Sequence, residues 1–519
     1  GVPGAVTYNS YKSEKQIYGI YGMASVGYKN MVYLDVTARN DWSSTLPKSN
    51  RSYFYPSASL SMILSDMMKM PDWISFTKLR VGSAQVGNDV SPYSLTQTFS
   101  TATDWGTAKR MYMAGLLKNA NLKPEISTSH EAGVEIQFLK NRIGLDATYY
   151  ITQNKNQVLS IGLPIESGAS SKLINAGLIE GRGWDIRLTT VPVVTENFKW
   201  EMNFNFSRNR TTIKKLAEGI KYFPFISYNG AEVRTYEGGQ IGDIYMLPML
   251  VVKDQSSPYY GYPIVDNSGR YQTDNDVNNM VKIGNFNHDF MLGIQPSITY
   301  KAFTLYANID WRQGGSFYSN SMMFLGNNGQ LEETLTGVPY DKSKSLPEQI
   351  KANPQAFLGN WVGGRNAEYN GLPWTGAQAD IREQDASFNP GVYQQTVNGV
   401  VTYVENLGGA DTKWLDPFTA YRYANRPFPD RNTYSATYVK LREVALTYRL
   451  PSSFTKNLKL QGASLSFVAS NVFEWNAAHI AIDPERAFFQ TNNVWAQGVE
   501  YYNMMPWTAS FGFKLNVDF

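Results

Sequence analysis

The sequence predicts an all-β fold, a transmembrane antiparallel β-barrel, on three observations. Apolar and polar residues alternate with period two over many long segments. The connections between those segments alternate between short and long, as they do in a barrel with tight turns at one rim and large loops at the other. No apolar run approaches the roughly 18 residues of a membrane helix, so if this chain crosses a bilayer it does so with strands.

Composition agrees. The 519 residues carry 47 Lys and Arg against 44 Asp and Glu, a formal charge of +3. That balance excludes an electrostatic nucleic-acid binder. Charged residues make up 18%, below the roughly 25% of ordinary soluble domains. Aromatics reach 14%, with 34 Tyr, 26 Phe and 12 Trp, which suits a sheet rich in interfacial rings. A barrel with a polar inner face has low average hydropathy, here −0.35. Cysteine is absent, which excludes disulfides and thiolate metal sites. The opening Gly1-Val2-Pro3-Gly4-Ala5-Val6 has neither the basic nor the apolar region of a signal peptide; the expectation is a removed leader or a piece of a longer chain.

About thirteen strands follow from the pattern, at approximately 16–28, 31–41, 53–65, 75–87, 127–139, 142–153, 174–190, 197–213, 290–301, 303–317, 437–449, 463–475 and 506–519. In the second, Val32, Leu34, Val36 and Ala38 alternate with Tyr33, Asp35, Thr37 and Arg39. In the sixth, Ile143, Leu145, Ala147, Tyr149 and Ile151 alternate with Gly144, Asp146, Thr148, Tyr150 and Thr152. In the eighth, Trp200, Met202, Phe204 and Phe206 alternate with Glu201, Asn203, Asn205 and Ser207. The tenth sets Phe303, Leu305, Ala307, Ile309 and Trp311 against Thr304, Tyr306, Asn308, Asp310 and Arg312. The eleventh changes phase: Val439 and Leu441 share one parity, Val444, Leu446, Tyr448 and Leu450 the other, which predicts a β-bulge near Arg442-Glu443. The last alternates almost without fault from Trp507 to Phe519, and its terminal aromatic resembles the C-terminal signature of outer-membrane barrel proteins. Stacked soluble sheets would also alternate, but these strands are long and Trp200, Trp311 and Trp507 sit at strand ends, where an interfacial girdle would place them.

The links sort by side. Lys29-Asn30, 66–74, Lys140-Asn141, Pro192 to Glu196, Lys301-Ala302 and Pro451 to Gly462 are short or modest, and each neighbours a longer one at 42–52, 88–126, 154–173, 214–289, 318–436 or 476–505. Short turns belong to the periplasmic rim, so 214–289 and 318–436 are expected to be large extracellular loops. An odd number of antiparallel strands cannot close without one parallel pair. The expectation is therefore that residues 1–519 are the C-terminal portion of one barrel domain, beginning inside an extracellular loop.

The inward parity is charged: Asp35, Arg39, Asp146, Asp185, Arg187, Glu201, Asp310, Arg312, Arg442 and Lys514. Asp35, Arg39, Asp146, Arg187, Asp310 and Arg312 are the candidate lumen-facing residues. Trp105, Trp361, Trp374 and Trp414 lie in long links beside many Tyr and Asn. Aromatic faces with amide donors suit sugars or peptides, so these four are the candidate substrate-binding residues, with loop packing or partner contact as the alternative. Asp266-Asn267-Ser268-Gly269 with Asp274 and Asp276 lacks the acidic residue five before its Gly that a calcium loop needs, that position being Ile264; it reads as a polar turn. His130, His288 and His479 form no zinc motif, and Ser453-Phe454-Thr455-Lys456 falls in a predicted turn without a supporting site. No metal, cofactor or catalytic residue is assigned, and the chain is not read as an enzyme.

Several segments resemble the SusC/RagA-like TonB-dependent transporters of Bacteroidetes. They are Arg39-Asn40-Asp41-Trp42-Ser43-Ser44-Thr45-Leu46, Tyr53-Phe54-Tyr55-Pro56-Ser57-Ala58-Ser59-Leu60-Ser61, Lys78-Leu79-Arg80-Val81-Gly82-Ser83 with Gly87-Asn88, and Ile283-Gly284-Asn285. Tyr438-Val439-Lys440-Leu441-Arg442-Glu443-Val444-Ala445-Leu446-Thr447-Tyr448 and Asn471-Val472-Phe473 followed by Asp483-Pro484-Glu485 continue the series in the family's order. One departure falls at Arg382-Glu383-Gln384-Asp385, where the family often has Arg-Glu-Gly-Gly. The resemblance implies a 22-stranded barrel, of which about thirteen strands lie here, with the other strands, an N-terminal plug and the TonB box outside these residues. It implies that some inward charges touch the plug. It also implies a protein of the cell outer membrane, in contact with lipid, that imports an oligosaccharide or oligopeptide. The import would be driven by TonB and its inner-membrane motor, and a SusD-like surface lipoprotein would cap the barrel. The rival readings are a passive porin or adhesin barrel, a barrel enzyme and a soluble glycan-binding β-protein.

Overall fold

The structure is a computed structural model that describes residues 12–113, 115–228, 230–331, 388–407, 411–415, 419, 422, 428–457, 459–488, 497–501 and 507–518. Thirteen strands form one continuous antiparallel wall in sequence order. They are β1 (Ile17–Tyr28), β2 (Val32–Ser43), β3 (Ser52–Ile63), β4 (Ile74–Asn88), β5 (Glu125–Phe138), β6 (Ile143–Gly162), β7 (Ser171–Val194), β8 (Phe198–Lys215), β9 (Phe290–Tyr300), β10 (Phe303–Gln313), β11 (Tyr438–Arg449), β12 (Gly462–Asn476) and β13 (Ser510–Asp518). Each coincides with one expected strand. The boundaries differ most at β6 and β7, which run on to 20 and 24 residues, more than the 9–11 or so that a bilayer needs. The last strand begins at Ser510, so Trp507, Thr508 and Ala509 precede it, and Phe519 lies outside the described residues.

Register carries one face across the wall, because directly opposed residues point the same way. An apolar row runs Phe513, Phe467, Leu446, Leu305, Ile298, Trp200, Val193 through successive pairings from β13 to β7. Phe513 is 78% exposed and its row neighbours Phe467, Leu446 and Leu305 are exposed as well. Side chains of this kind in an unbroken belt suit hydrocarbon, not water. One residue along, Lys514, Ser466, Thr447, Thr304 and Thr299 form the matching polar row. Rings collect at the short-turn rim: Trp73 stacks on Phe138 at 5.7 Å, and Phe303 meets Tyr448 at 4.8 Å.

The tight turns explain that rim. Lys29 and Asn30 both adopt positive φ, 49° and 56°, the type I′ geometry that matches the twist of paired strands. Leu139, Lys140 and Asn141 reverse the chain between β5 and β6 in the same left-handed region. At the opposite rim the links are long, and they fold. Tyr222–Tyr228, Ala231–Tyr236, Asp243–Met246 and Val281–Asn285 make a four-stranded sheet. Ile264–Val265 pairs in parallel with Gly391–Val397, which forms a hairpin with Val400–Asn406. Thr433–Ser435, Ser316–Ser319 and Val499–Glu500 make a third sheet. The segments read as loops are thus a folded body drawn from three links. The deeply buried side chains collect there, among them Phe317, Phe388, Phe428 and Val252. The wall has no comparable core, because its apolar side faces outward.

Candidate functional site

The bulge in β11 builds the densest charged cluster. Asn308 of β10 pairs with Glu443 and the next residue, Ile309, with Leu441, so Arg442 is the extra residue. β12 shifts register at the same level, and Asn471 takes a positive φ of 54° there. The extra residue lets Lys440, Arg442 and Glu443 serve the polar side within four consecutive positions, where strict alternation would allow two. Arg442 donates to Asp310 at 2.7 Å and, through two nitrogens, to both carboxylate oxygens of Glu485 at 2.6 and 2.8 Å. Two parallel bonds of this kind are the strong, oriented form of a charge pair. Lys440, 1% exposed, donates to Asp483 at 2.6 Å and Glu485 at 2.8 Å, with Glu474 3.9 Å away. Arg312 lies 3.7 Å over the ring of Phe488 and donates to the Phe286 carbonyl at 2.6 Å. Although burial works against the charged form, the Arg442 and Lys440 cations hold the Glu485 carboxyl below the usual range.

A second group lies on β2 and β3. Arg39 donates to Asp41 at 2.8 Å, and Tyr55 donates to the other Asp41 oxygen at 2.5 Å. Just beyond β4, Asp89 accepts from Lys15 and Ser43 at 2.5 Å and from Thr45 at 3.1 Å, which ties the end of β2 to that of β4. Asp35 accepts from Ser25 at 2.5 Å. A third group is a recess of about 410 Å³ on the polar side of β4, β6, β7 and β8, lined by Arg80, Asp146, Asp185, Arg187 and Asn205 among others. Arg80 pairs with Asp146, and Arg187 lies 4.0 Å from it and is largely exposed.

The six candidate charges therefore all stand on the polar parity but do not converge on one point. Asp310 and Arg312 join the bulge cluster, Asp146 and Arg187 the recess, and Asp35 and Arg39 the β2 group. Of the candidate tryptophans, Trp105 is 75% exposed on the hairpin Phe99–Trp105/Ala108–Met113, with the Arg110 guanidinium 5.9 Å from its ring centroid. Trp414 packs edge-on against Phe388 at 5.3 Å, inside the loop body. Trp361 and Trp374 lie outside the described residues, as does Arg382-Glu383-Gln384-Asp385. Lys440, Asp483, Glu485 and Arg80 were not singled out as candidates. Their signal is present, since Lys440 lies two residues before the bulged Arg442 and Asp483-Pro484-Glu485 belongs to a segment that carries the family resemblance, but nothing in one strand reveals a partner in a link.

The acidic loop behaves as a turn. Asp266 accepts from the backbone N–H groups of Ser268 and Arg270 at 2.8 and 2.9 Å. The Asp276 N–H, Lys253 and Asn279 hold the Asp274 carboxyl down at about 2. His130 stands on the apolar parity opposite Ile151, and His479 meets Trp475 edge-on at 6.1 Å. Ser453 is exposed on the short helix Ser452–Asn457. Burial, then Arg312 and Arg210, pushes the His288 imidazolium down to about 4 from 6.5. The folded state therefore binds fewer protons than the unfolded chain between those values. Stability from a neutral His288 is present above pH 6.5 and is lost as pH falls through 4. His288→Gln is expected to flatten that part of the pH dependence of limited proteolysis in the loop body; an unaltered profile would count against it.

A profile of the family described as TonB dependent receptor-like, beta-barrel matches residues 1–310. The TonB-dependent receptor P3 of Formosa agariphila is 27% identical over 349 residues, covering 62% of this chain and 34% of that protein. The TonB-dependent receptor SusC of Bacteroides thetaiotaomicron is 23% identical over 315 residues, covering 57% and 31%. A structure titled as the RagAB peptide importer in the 'open-open' state superposes with a TM-score of 0.66 at 17% identity, over 99% of this chain and 49% of that one. The chain thus spans about a third of the length of these curated relatives and about half of the structural one.

Proposed function

The chain belongs to the TonB dependent receptor-like β-barrel family, a family of outer-membrane receptors and not of enzymes, and from that membership we propose that the whole protein imports oligosaccharides or oligopeptides across the outer membrane. TonB and its inner-membrane motor drive the import, and a SusD-like lipoprotein covers the extracellular rim. The observation that carries this reading is the pairing of an unbroken polar face with a folded body of long links over one rim. A conduit for large solutes needs a hydrated wall and a selective mouth. The name of the RagAB peptide importer supports a peptide, and Trp105, exposed on its hairpin, suits either a peptide or a sugar ring.

Residues 1–519 are the C-terminal portion of one barrel domain in this reading. β1 and β13 end the wall without partners on their outer sides among the described residues. An unpaired edge in hydrocarbon costs several kcal/mol for each exposed backbone group, so further strands complete the barrel. A plug fills it and meets the polar face near Asp35, Arg39, Asp146, Arg187, Asp310 and Arg312. The links 214–289 and 318–436 are extracellular.

Two measurements on the full-length protein test this. An epitope inserted at Gly329 is expected to label on intact cells; labelling only after permeabilisation would reverse the topology. Uptake of labelled oligopeptides or oligosaccharides by cells that depend on this protein is expected to stop when a protonophore collapses the inner-membrane gradient. Uptake that persists would instead indicate a passive porin.

A further inference from the structure

We propose that residues 477–488 form a strap, clamped by charge over the extracellular end of the polar face, that lifts from the wall while the wall stays folded and so regulates access to the lumen. This rests on reading the polar face as a lumen.

The strap has two different undersides. Toward the loop body its contacts are apolar: Ile480, Ile482, Ala487 and Phe488 pack around Phe317 and Ala436, which belong to the link after β10. Gly498 donates its backbone N–H to Ala487, and Arg486 lies 3.5 Å from Glu500, a carboxylate that also binds Ser319 and Ser321. Toward the wall the contacts are charged, apart from the Ala477 N–H that donates to the Thr437 carbonyl where the strap leaves β12 and the Asn476 side-chain amide that donates to the Ile480 carbonyl at 3.2 Å. Asp483 and Glu485 reach Lys440 and Arg442 at 2.6–2.8 Å, and Phe488 lies on Arg312. Among the described residues, no backbone-to-backbone hydrogen bond joins 480–488 to the wall.

These two attachments differ in how they break. Separating an apolar contact exposes hydrocarbon to water, and breaking a strand ladder leaves a row of backbone groups to be resolvated. Opening a complete charge clamp hydrates both signs at once, and the desolvation cost recovered offsets much of the lost attraction. The wall-side contact is therefore the weaker of the two, so the strap moves with the loop body. It now covers Tyr438, Lys440 and Arg312, which are 2%, 1% and 7% exposed on the polar parity. Lifting it uncovers that end of the lumen.

The test uses the full-length protein in a cysteine-free background, spin-labelled at Ala481 on the strap and Arg449 at the far end of β11. The expected result is one narrow distance distribution for the native clamp. Asp483→Asn with Glu485→Gln is expected to add a second, longer population. The same single distance in both proteins would overturn the proposal. A second readout needs no clamp variant. In the unaltered protein the backbone amides of 480–488 are expected to exchange at least tenfold faster than those of β11 and β12, and equal protection would overturn it. Neither readout involves transport, so lost or passive uptake with the expected strap behaviour would count against the import reading alone.

Discussion

Phe513→Arg is expected to impair assembly of the wall and to lower its stability in lipid by about 2–4 kcal/mol, the cost of an Arg on a barrel's lipid face near the midplane. Phe513 is the most exposed large apolar residue of β13, and its ring lies 5.4 Å from that of Phe467. The same change one position along is the control. Lys514 stands on the polar parity opposite Ser466, so Lys514→Arg is expected to assemble normally. Heat-modifiable mobility on gels and urea unfolding in lipid vesicles read both variants. Equal behaviour of the two would mean that the apolar parity does not face hydrocarbon.

That prediction was available from alternation alone, and so was most of the wall. Period two fixes which residues share a face, and a one-residue slip would invert every face. Thirteen alternating segments therefore located thirteen strands, and the phase break at Arg442 located the bulge of β11, but not the register shifts of β7 at Leu178/Ile179 and between Thr190 and Val193. The long links were legible only as long. Some of their strands are local hairpins, but Ile264–Val265 and Val499–Glu500 are two residues long and pair with residues more than a hundred positions away, where no local pattern records the partner. The clamp was half legible for the same reason. Asp310, Arg312 and Arg442 follow from strand parity, whereas Asp483 and Glu485 come from a link whose path depends on the packing of Phe488 and Ala487. Trp414 belongs with them: its edge contact with Phe388 joins two link residues that no local pattern pairs.

Lys440→Met is expected to destabilise the protein by about 3–5 kcal/mol, the usual cost of removing one partner from a buried ion pair. The ammonium is 1% exposed and sits among Asp483, Glu485 and Glu474. Without it, Arg442 still serves Glu485, but Asp483 and Glu474 face each other with no cation between them. The Met side chain keeps most of the volume, so the loss reports charge and not a cavity. Neutralising the clamp from both sides should cost much less. Lys440→Met combined with Asp483→Asn and Glu485→Gln removes the ammonium together with both of its close carboxylates and leaves Arg442 on Asp310, so less uncompensated charge stays buried than in the single variant. The change in the triple variant, less those of Lys440→Met and of Asp483→Asn with Glu485→Gln, is the coupling energy for these groups in contact, expected to be at least about 2 kcal/mol in magnitude. Equilibrium urea unfolding of the full-length protein in lipid measures it. A single variant within about 0.5 kcal/mol of native would show that water already reaches Lys440, and the clamp would then be a surface pair of the kind that contributes little.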